Sequence, residues 1–236
     1  MTHPSTSPVV AITGAAGALG QAVVELFLGQ GARVALFDRD EARLRKLYAG
    51  RADAAPHLLL GADISDEASV HAAMQRLAGH FGRLDVLVHV AGGFEMGEAV
   101  HQVTRASWER MMNLNAWSFV SLARDAVPMM LAQGGGKLIA VSAAGAAKGA
   151  AQMAAYSASK SALQRLVESL SQEVREKGIN VNSIAPTIMD TPANRQAMPD
   201  ADRSAWVPLA VAAQAIAFLA SEAGSAVHGQ HLKLGA

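Results

Sequence analysis

Tyr156 and Lys160 stand four residues apart in the stretch Tyr156-Ser157-Ala158-Ser159-Lys160. On a helix that spacing places both side chains on one face, slightly more than one turn apart. A free phenol titrates near ~10, too high to exchange protons readily at neutral pH. An ammonium beside it favours the phenolate and brings that value towards the working range. The pair thus has the makings of an acid/base couple. Such a spacing is also common by chance, so its meaning rests on the elements that must position it.

The first of those elements is a short apolar run, Val9-Val10-Ala11-Ile12-Thr13, which leads into Gly14-Ala15-Ala16-Gly17-Ala18-Leu19-Gly20. Val23, Val24, Leu26, Phe27 and Leu28 then repeat at helical spacing until Gly29 and Gly31. Strand, glycine turn and helix in this order form the opening unit of a dinucleotide-binding fold. Gly14, Ala16, Gly17, Ala18, Leu19 and Gly20 are the candidate contacts, because a small-residue backbone can approach a pyrophosphate held at a helix N-terminus. A tight strand-to-helix turn of any α/β protein is the competing reading.

Asp38 closes the second strand, 18 residues beyond Gly20. A carboxylate there binds ribose hydroxyls and repels a 2′-phosphate, which favours NAD. The adjacent Arg39 offers a guanidinium that can receive that phosphate, so NADP is the alternative. Asp63 and Ile64, after the third strand, are candidates for the adenine; Asp63 can instead cap the helix that follows. Val90, Ala91 and Gly92 follow the fourth strand, where small residues leave room in the crevice at the carboxyl end of an open parallel sheet.

Strand and helix alternate along the chain, which predicts an α/β, Rossmann-type doubly wound parallel sheet in a three-layer α/β/α arrangement. Residues 1–8 read as a disordered tail and 9–236 as a single domain, because no linker or charge block divides the sequence. Lys+Arg and Asp+Glu balance at 20 each, which gives no electrostatic case for nucleic acid or an anionic membrane. The chain has no cysteine, no apolar run of membrane-spanning length and no signal-peptide pattern. A cytoplasmic protein acting on a small molecule is expected. His228 and His231, the best metal candidates among eight histidines, lack a third partner, so no metal is expected.

With the glycine turn, Asp38, Asp63, Val90-Ala91-Gly92, Asn115, Tyr156/Lys160 and Asn182-Ser183-Ile184-Ala185-Pro186 in view, the chain resembles the short-chain dehydrogenase/reductase family over nearly its whole length. The resemblance implies hydride transfer on a nicotinamide cofactor with Tyr156 as acid/base. It implies that Lys160 also binds the nicotinamide ribose, and that Asn115 kinks a helix and orders a relay water. The family's catalytic serine usually stands 13 residues before the tyrosine, and Ala143 occupies that position. Ser142, one residue early, is the remaining candidate, although strand alternation would turn its hydroxyl to the other face. His89 and Val90 stand where two asparagines are common.

The Gly-x-x-Gly-Ala-Leu-Gly turn, the Gly-Gly-aromatic turn at 92–94 and the alanine at 143 resemble the quinonoid dihydropteridine reductase branch, as does the stretch from Asp190 through Trp206. An NADH-dependent reduction of a quinonoid pterin is therefore the alternative to a small carbonyl/alcohol substrate. A dinucleotide-binding sensor without turnover is a further one.

Residues 187–206 read as a substrate lid, with Trp206 and Arg195 buried in it. Pro186, Thr187 and Thr191 at its base are candidate cofactor contacts. The apolar residues of the helices around 107–132 and 156–176 face the sheet, a homodimer or homotetramer contact, or both.

Overall fold

The computed structural model describes residues 7–48 and 57–235. The expected tail falls mostly outside them, in residues 1–6. Ser7 and Pro8 are held to the domain: Arg33 donates from its backbone N–H to the Pro8 carbonyl and from Nε to that of Ser7.

Seven parallel strands form one sheet, ordered β3-β2-β1-β4-β5-β6-β7. They are β1 (Val9–Thr13), β2 (Arg33–Asp38), β3 (Leu58–Gly61), β4 (Val86–His89), β5 (Gly136–Val141), β6 (Ile179–Pro186) and β7 (His231–Leu234). Parallel strands need crossovers that cover both faces, and this is why β1, β4 and β6 are buried at every position rather than at every second one. Helices α1 (Ala18–Gly29), α2 (Glu41–Tyr48) and α8 (Leu209–Ala220) cover one face, over Val10, Ile12, Val88, Ile139 and Ile184. Helices α3 (Glu67–Phe81), α5 (Ser118–Ala132) and α6 (Ala154–Val174) cover the other, over Ala11, Leu87, Leu138, Ala140 and Val181. This is the expected three-layer Rossmann-type sheet.

Strand order reverses between β1 and β4, so the loops at their carboxyl ends diverge and open a crevice there. The long helix expected around 107–132 is two helices joined by a π-helical segment. Helix α4 (Arg105–Met112), capped by the Thr104 side chain, runs into the π segment Asn113–Trp117 and then into α5. A π turn carries an extra residue and re-aims the side chains within it, a common device at functional sites.

The stretch 187–206 contains a helix that its irregular composition conceals, α7 (Pro192–Ala197), with Pro192 in its first turn. Its ends are joined where Asp190 N–H donates to the Val207 carbonyl and Val207 N–H donates to that of Ile188. Trp206 is buried, as expected, with the Arg203 guanidinium 5.7 Å from its ring centre. Arg195 is not buried: it is 53% exposed and forms a bidentate pair with Asp190, which holds it at the surface.

Candidate active site

The glycine turn is shaped for close packing. A Cβ on Gly20 would lie 2.0 Å from the Gly14 carbonyl oxygen, so only glycine lets α1 start this close to the end of β1. Gly17 caps α1 without a side-chain hydrogen bond, and no acidic residue occupies the first turn. The helix therefore presents its free N–H groups and positive dipole end to the crevice, as an anionic pyrophosphate requires. The Tyr48 hydroxyl donates to the Ala15 carbonyl at 2.8 Å and fixes the turn from behind. Ala16 and Leu19 are buried beneath it, while Gly17 faces solvent.

Asp38 reaches the same turn from the end of β2. Its Oδ2 accepts from Ala16 N–H at 3.1 Å and its Oδ1 from Asp40 N–H at 3.2 Å. Arg39 is exposed beside it. Asp63 accepts from the backbone and hydroxyl of Ser65, and these bonds, more than the nearby Arg39, hold its pKa below the ordinary carboxylate value. The expected helix cap belongs instead to Asp66, which accepts from Ala68 N–H. Ile64 is buried in the sheet–helix core.

On the other side of the crevice, α6 presents Tyr156 and Lys160 together. Lys160 is 5% exposed and donates from Nζ to the Val141 carbonyl at 2.9 Å. Burial pushes its pKa down to about 8. Tyr156 packs edge-on against Phe94, with ring centres 4.9 Å apart, and burial pushes its pKa up. The expected lowering by Lys160 is not found, because the ammonium is turned towards the end of β5 and towards Gly92 rather than spent on the phenol.

Asn115 lies in the π segment, fully buried. Its Oδ1 accepts from Gly93 N–H at 2.9 Å, while its Nδ2 donates to the Gly93 carbonyl and the Ser159 hydroxyl, each at 3.0 Å. A buried amide left unpaired costs about 1–3 kcal/mol, so this set of bonds fixes the side chain in one orientation. A Cβ on Gly92 would lie 2.8 Å from Asn115 Oδ1 and 3.1 Å from Lys160 Nζ, so all three groups converge on one point.

Ser142 does not join this group. It continues the face of β5 that carries Leu138 and Ala140 into the helix layer, and its buried hydroxyl donates to the Lys160 backbone carbonyl at 3.4 Å. Ala143, extended at φ −153° and ψ 147°, is the next residue on the chain. Thr191, expected to face the cofactor, accepts from Asn194 N–H with its hydroxyl and so caps α7. Thr187 and Pro186 extend the β6–β7 pairing, Thr187 N–H donating to the Leu234 carbonyl. Val90 and Ala91 are partly buried at the end of β4, and Ala91 N–H donates to the Thr13 hydroxyl at 3.1 Å.

Sequence reasoning passed over Phe94 as an aromatic wall for Tyr156 and Ser159 as a partner of Asn115. The position of Ser159 three residues after Tyr156, between the two catalytic candidates, was the available signal. His231 is bonded to Ser183 and Glu168, and His228 lies against Asn180. Among the described residues no group of three His, Cys, Asp or Glu side chains is close enough to hold a metal, and no helix is long and apolar enough to cross a membrane.

A glycine turn under a free helix end, a carboxylate at the end of the neighbouring strand and, across the crevice, a half-buried Tyr156 with the buried Lys160 and Asn115 define a dinucleotide-dependent oxidoreductase. The model of the short chain dehydrogenase family matches residues 8–202. Cis-4-hydroxycyclohexanecarboxylate dehydrogenase of Sinomonas cyclohexanicum is 35% identical over 229 residues, covering 94% of this chain and 92% of its own. D-threitol dehydrogenase of Mycolicibacterium smegmatis is 30% identical over 236 residues, covering 95% and 90%. Among solved structures, a 3-ketoacyl-(acyl-carrier-protein) reductase from Brucella melitensis complexed with NADH superposes with a TM-score of 0.86 at 27% identity, covering 96% of each chain. The chain belongs to the short-chain dehydrogenase/reductase family. It is an NAD(P)-dependent oxidoreductase.

Proposed function

We propose that the enzyme interconverts a small secondary alcohol and its ketone, with NAD rather than NADP, and that the alcohol carbon belongs to a compact, largely apolar substrate such as an alicyclic ring. The observation that carries this reading is the Tyr156 phenol, packed edge-on against Phe94 and one helical turn before the buried Lys160 on α6. The Sinomonas relative, named for a hydroxycyclohexanecarboxylate, supports the ring. Asp38, at the end of β2 and bonded to the turn, supports NAD, because a 2′-phosphate would meet its carboxylate.

Gly14, Ala16, Gly17, Ala18, Leu19 and Gly20 would hold the pyrophosphate, Asp38 the adenosine ribose with Arg39 flanking it, and Asp63 and Ile64 the adenine. Val90, Ala91, Gly92, Pro186, Thr187 and the Thr191 backbone would line the nicotinamide side. When bound, the nicotinamide supplies or accepts the hydride. Tyr156 gives a proton to the carbonyl oxygen in reduction and takes it back in oxidation. Lys160 binds the nicotinamide ribose and joins the proton relay. Asn115 spends both amide hydrogens on Gly93 and Ser159, which leaves a lone pair of Oδ1 beside Lys160 for a relay water. Ser142 serves the helix backbone in this scheme, so the substrate oxygen is held by Tyr156 and shape rather than by a serine. Residues 187–206 act as the lid. Two or four copies associate through α4–α5 and α6, a reading supported by the exposed apolar side chains Trp108 of α4 and Leu131 of α5, and the assembly works in the cytoplasm.

Turnover of NADH with cyclohexanone-type and acyclic ketones, beside the Tyr156→Phe variant, tests this. General acid/base groups contribute about 10²–10⁴ in rate. The variant should lose a factor in that range while its affinity for NADH changes by no more than about twofold. A variant that keeps wild-type turnover removes Tyr156 from the chemistry; a wild type that binds NADH and turns over none of these ketones is the dinucleotide-binding sensor. The alanine at 143 favours a second reading, a quinonoid dihydropterin. Saturable NADH oxidation on that substrate alone would replace the ketone.

A further inference from the structure

His89 stands where the family commonly has an asparagine, and it is buried at 2% exposure. Thr13 and His89 are register partners at the ends of β1 and β4, on the face that packs against α5. Thr13 Oγ1 lies 2.9 Å from His89 Nδ1, and His89 Nε2 lies 3.0 Å from Ser118 Oγ. The Ser118 hydroxyl also donates to the Leu114 carbonyl at 2.8 Å, inside the π segment and one residue before Asn115.

Counting hydrogens gives the chain of bonds one direction. Thr13 Oγ1 accepts from Ala91 N–H, so its own hydrogen goes to His89 Nδ1. Ser118 has one hydrogen and gives it to Leu114, so it must accept from His89 Nε2–H. Reversing the imidazole would leave the Thr13 hydrogen without a partner and ask Ser118 to donate twice. A protonated imidazole fails at Thr13 for the same reason. Burial and the Lys160 charge act the same way and bring the His89 pKa down to about 3.

We infer that His89, locked as the neutral Nε2–H tautomer, is a positioning residue that ties the start of the cofactor turn to the π segment and so holds Asn115 in register for proton relay. The inference rests on the relay reading of Asn115. The link runs from Thr13, immediately before Gly14, through the imidazole and Ser118 to Leu114. The π segment has an extra residue and could slip back to α-helical register, which would rotate Asn115 out of its clamp on Gly93. A hydrogen-bonded stop at Leu114 opposes that slip. Displacements of about 1 Å in catalytic geometry can cost up to ~10²-fold in rate.

Ser118→Ala cuts the link at its far end and leaves Thr13 and His89 in place. The expected result is a fall in kcat of between about ten- and a hundredfold. KM for the ketone and Kd for NADH should stay within about twofold, and Ser118→Thr, which keeps the hydroxyl, should restore most of kcat. A general loosening would instead weaken NADH as well. Asn115→Ala is run alongside. If it loses turnover while Ser118→Ala keeps it, this inference fails and the relay reading stands. If Asn115→Ala keeps turnover, both fail. In the full-length wild-type protein, nitrogen NMR of histidine, with His89 assigned through its contact with Phe119, should show Nε2 protonated and Nδ1 bare from pH 8 to 5. A protonated Nδ1 anywhere in that range would overturn the inference without any variant.

Discussion

Lys160 is the group whose removal separates stability from catalysis most clearly. Its ammonium is buried, and its pKa is lowered from 10.5 to about 8 by desolvation. Each unit corresponds to about 1.4 kcal/mol, so holding the proton in the fold costs on the order of 3 kcal/mol. Lys160→Met keeps the length of the side chain and removes that cost. It also removes the bond to the Val141 carbonyl, a loss of about 1–2 kcal/mol. The net expectation at pH 7 is a gain of about 1–2 kcal/mol, or roughly 2–8 °C in Tm for a chain of this size. Turnover should disappear at the same time.

The pH dependence supplies the sharper assay. Between about pH 8 and 10.5 unfolded Lys160 still binds its proton and folded Lys160 does not, so wild-type stability rises with pH in that window. The variant has no such group. Its advantage in Tm should therefore be full below pH 8 and shrink as pH approaches 10.5. A difference that stays flat from pH 7 to 10 would show that Lys160 carries no desolvation penalty, and the reasoning would be wrong.

Three further outcomes are expected. Asp38→Asn removes the charge that a 2′-phosphate would meet, and the preference of kcat/KM for NADH over NADPH should drop by at least about tenfold; an unchanged ratio would assign discrimination elsewhere. Gly20→Ala drives a methyl into the Gly14 carbonyl, so dinucleotide should no longer raise Tm, and the domain should lose several kcal/mol in denaturant melts. Ser142→Ala should leave kcat within about twofold, because that hydroxyl serves the Lys160 carbonyl; a hundredfold loss would return Ser142 to the reaction.

Much of the site was legible because it is local. Tyr156 and Lys160 share a helix face by spacing alone, and the glycine turn needs only the strand before it and the helix after it. Asp38 is placed by the length of one β-α-β unit. The apolar strands, alternating with helices, announced a parallel sheet. Alternation also foretold the orientation of Ser142, since a one-residue offset on a strand exchanges faces.

Other features depend on partners distant in sequence. Trp206 declared its burial by its type, but Arg195 pairs with Asp190 instead of the core, a choice made by the fold of α7. Thr191 became a helix cap because that helix exists at all. The sign of the Tyr156 shift needed the position of Phe94 and the direction of the Lys160 ammonium.

The sequence by itself determined the α/β class, the glycine turn between the first strand and helix and the shared helix of Tyr156 and Lys160, since each follows from periodicity or spacing within about thirty residues. Only the tertiary structure decided that Asn115 sits in a π turn bonded to Gly93 and Ser159, and that His89 joins β1, β4 and α5. Those bonds close over separations of up to 76 residues. Which donor meets which acceptor across such a gap is set by packing the helices on the sheet, and a linear pattern holds no record of it.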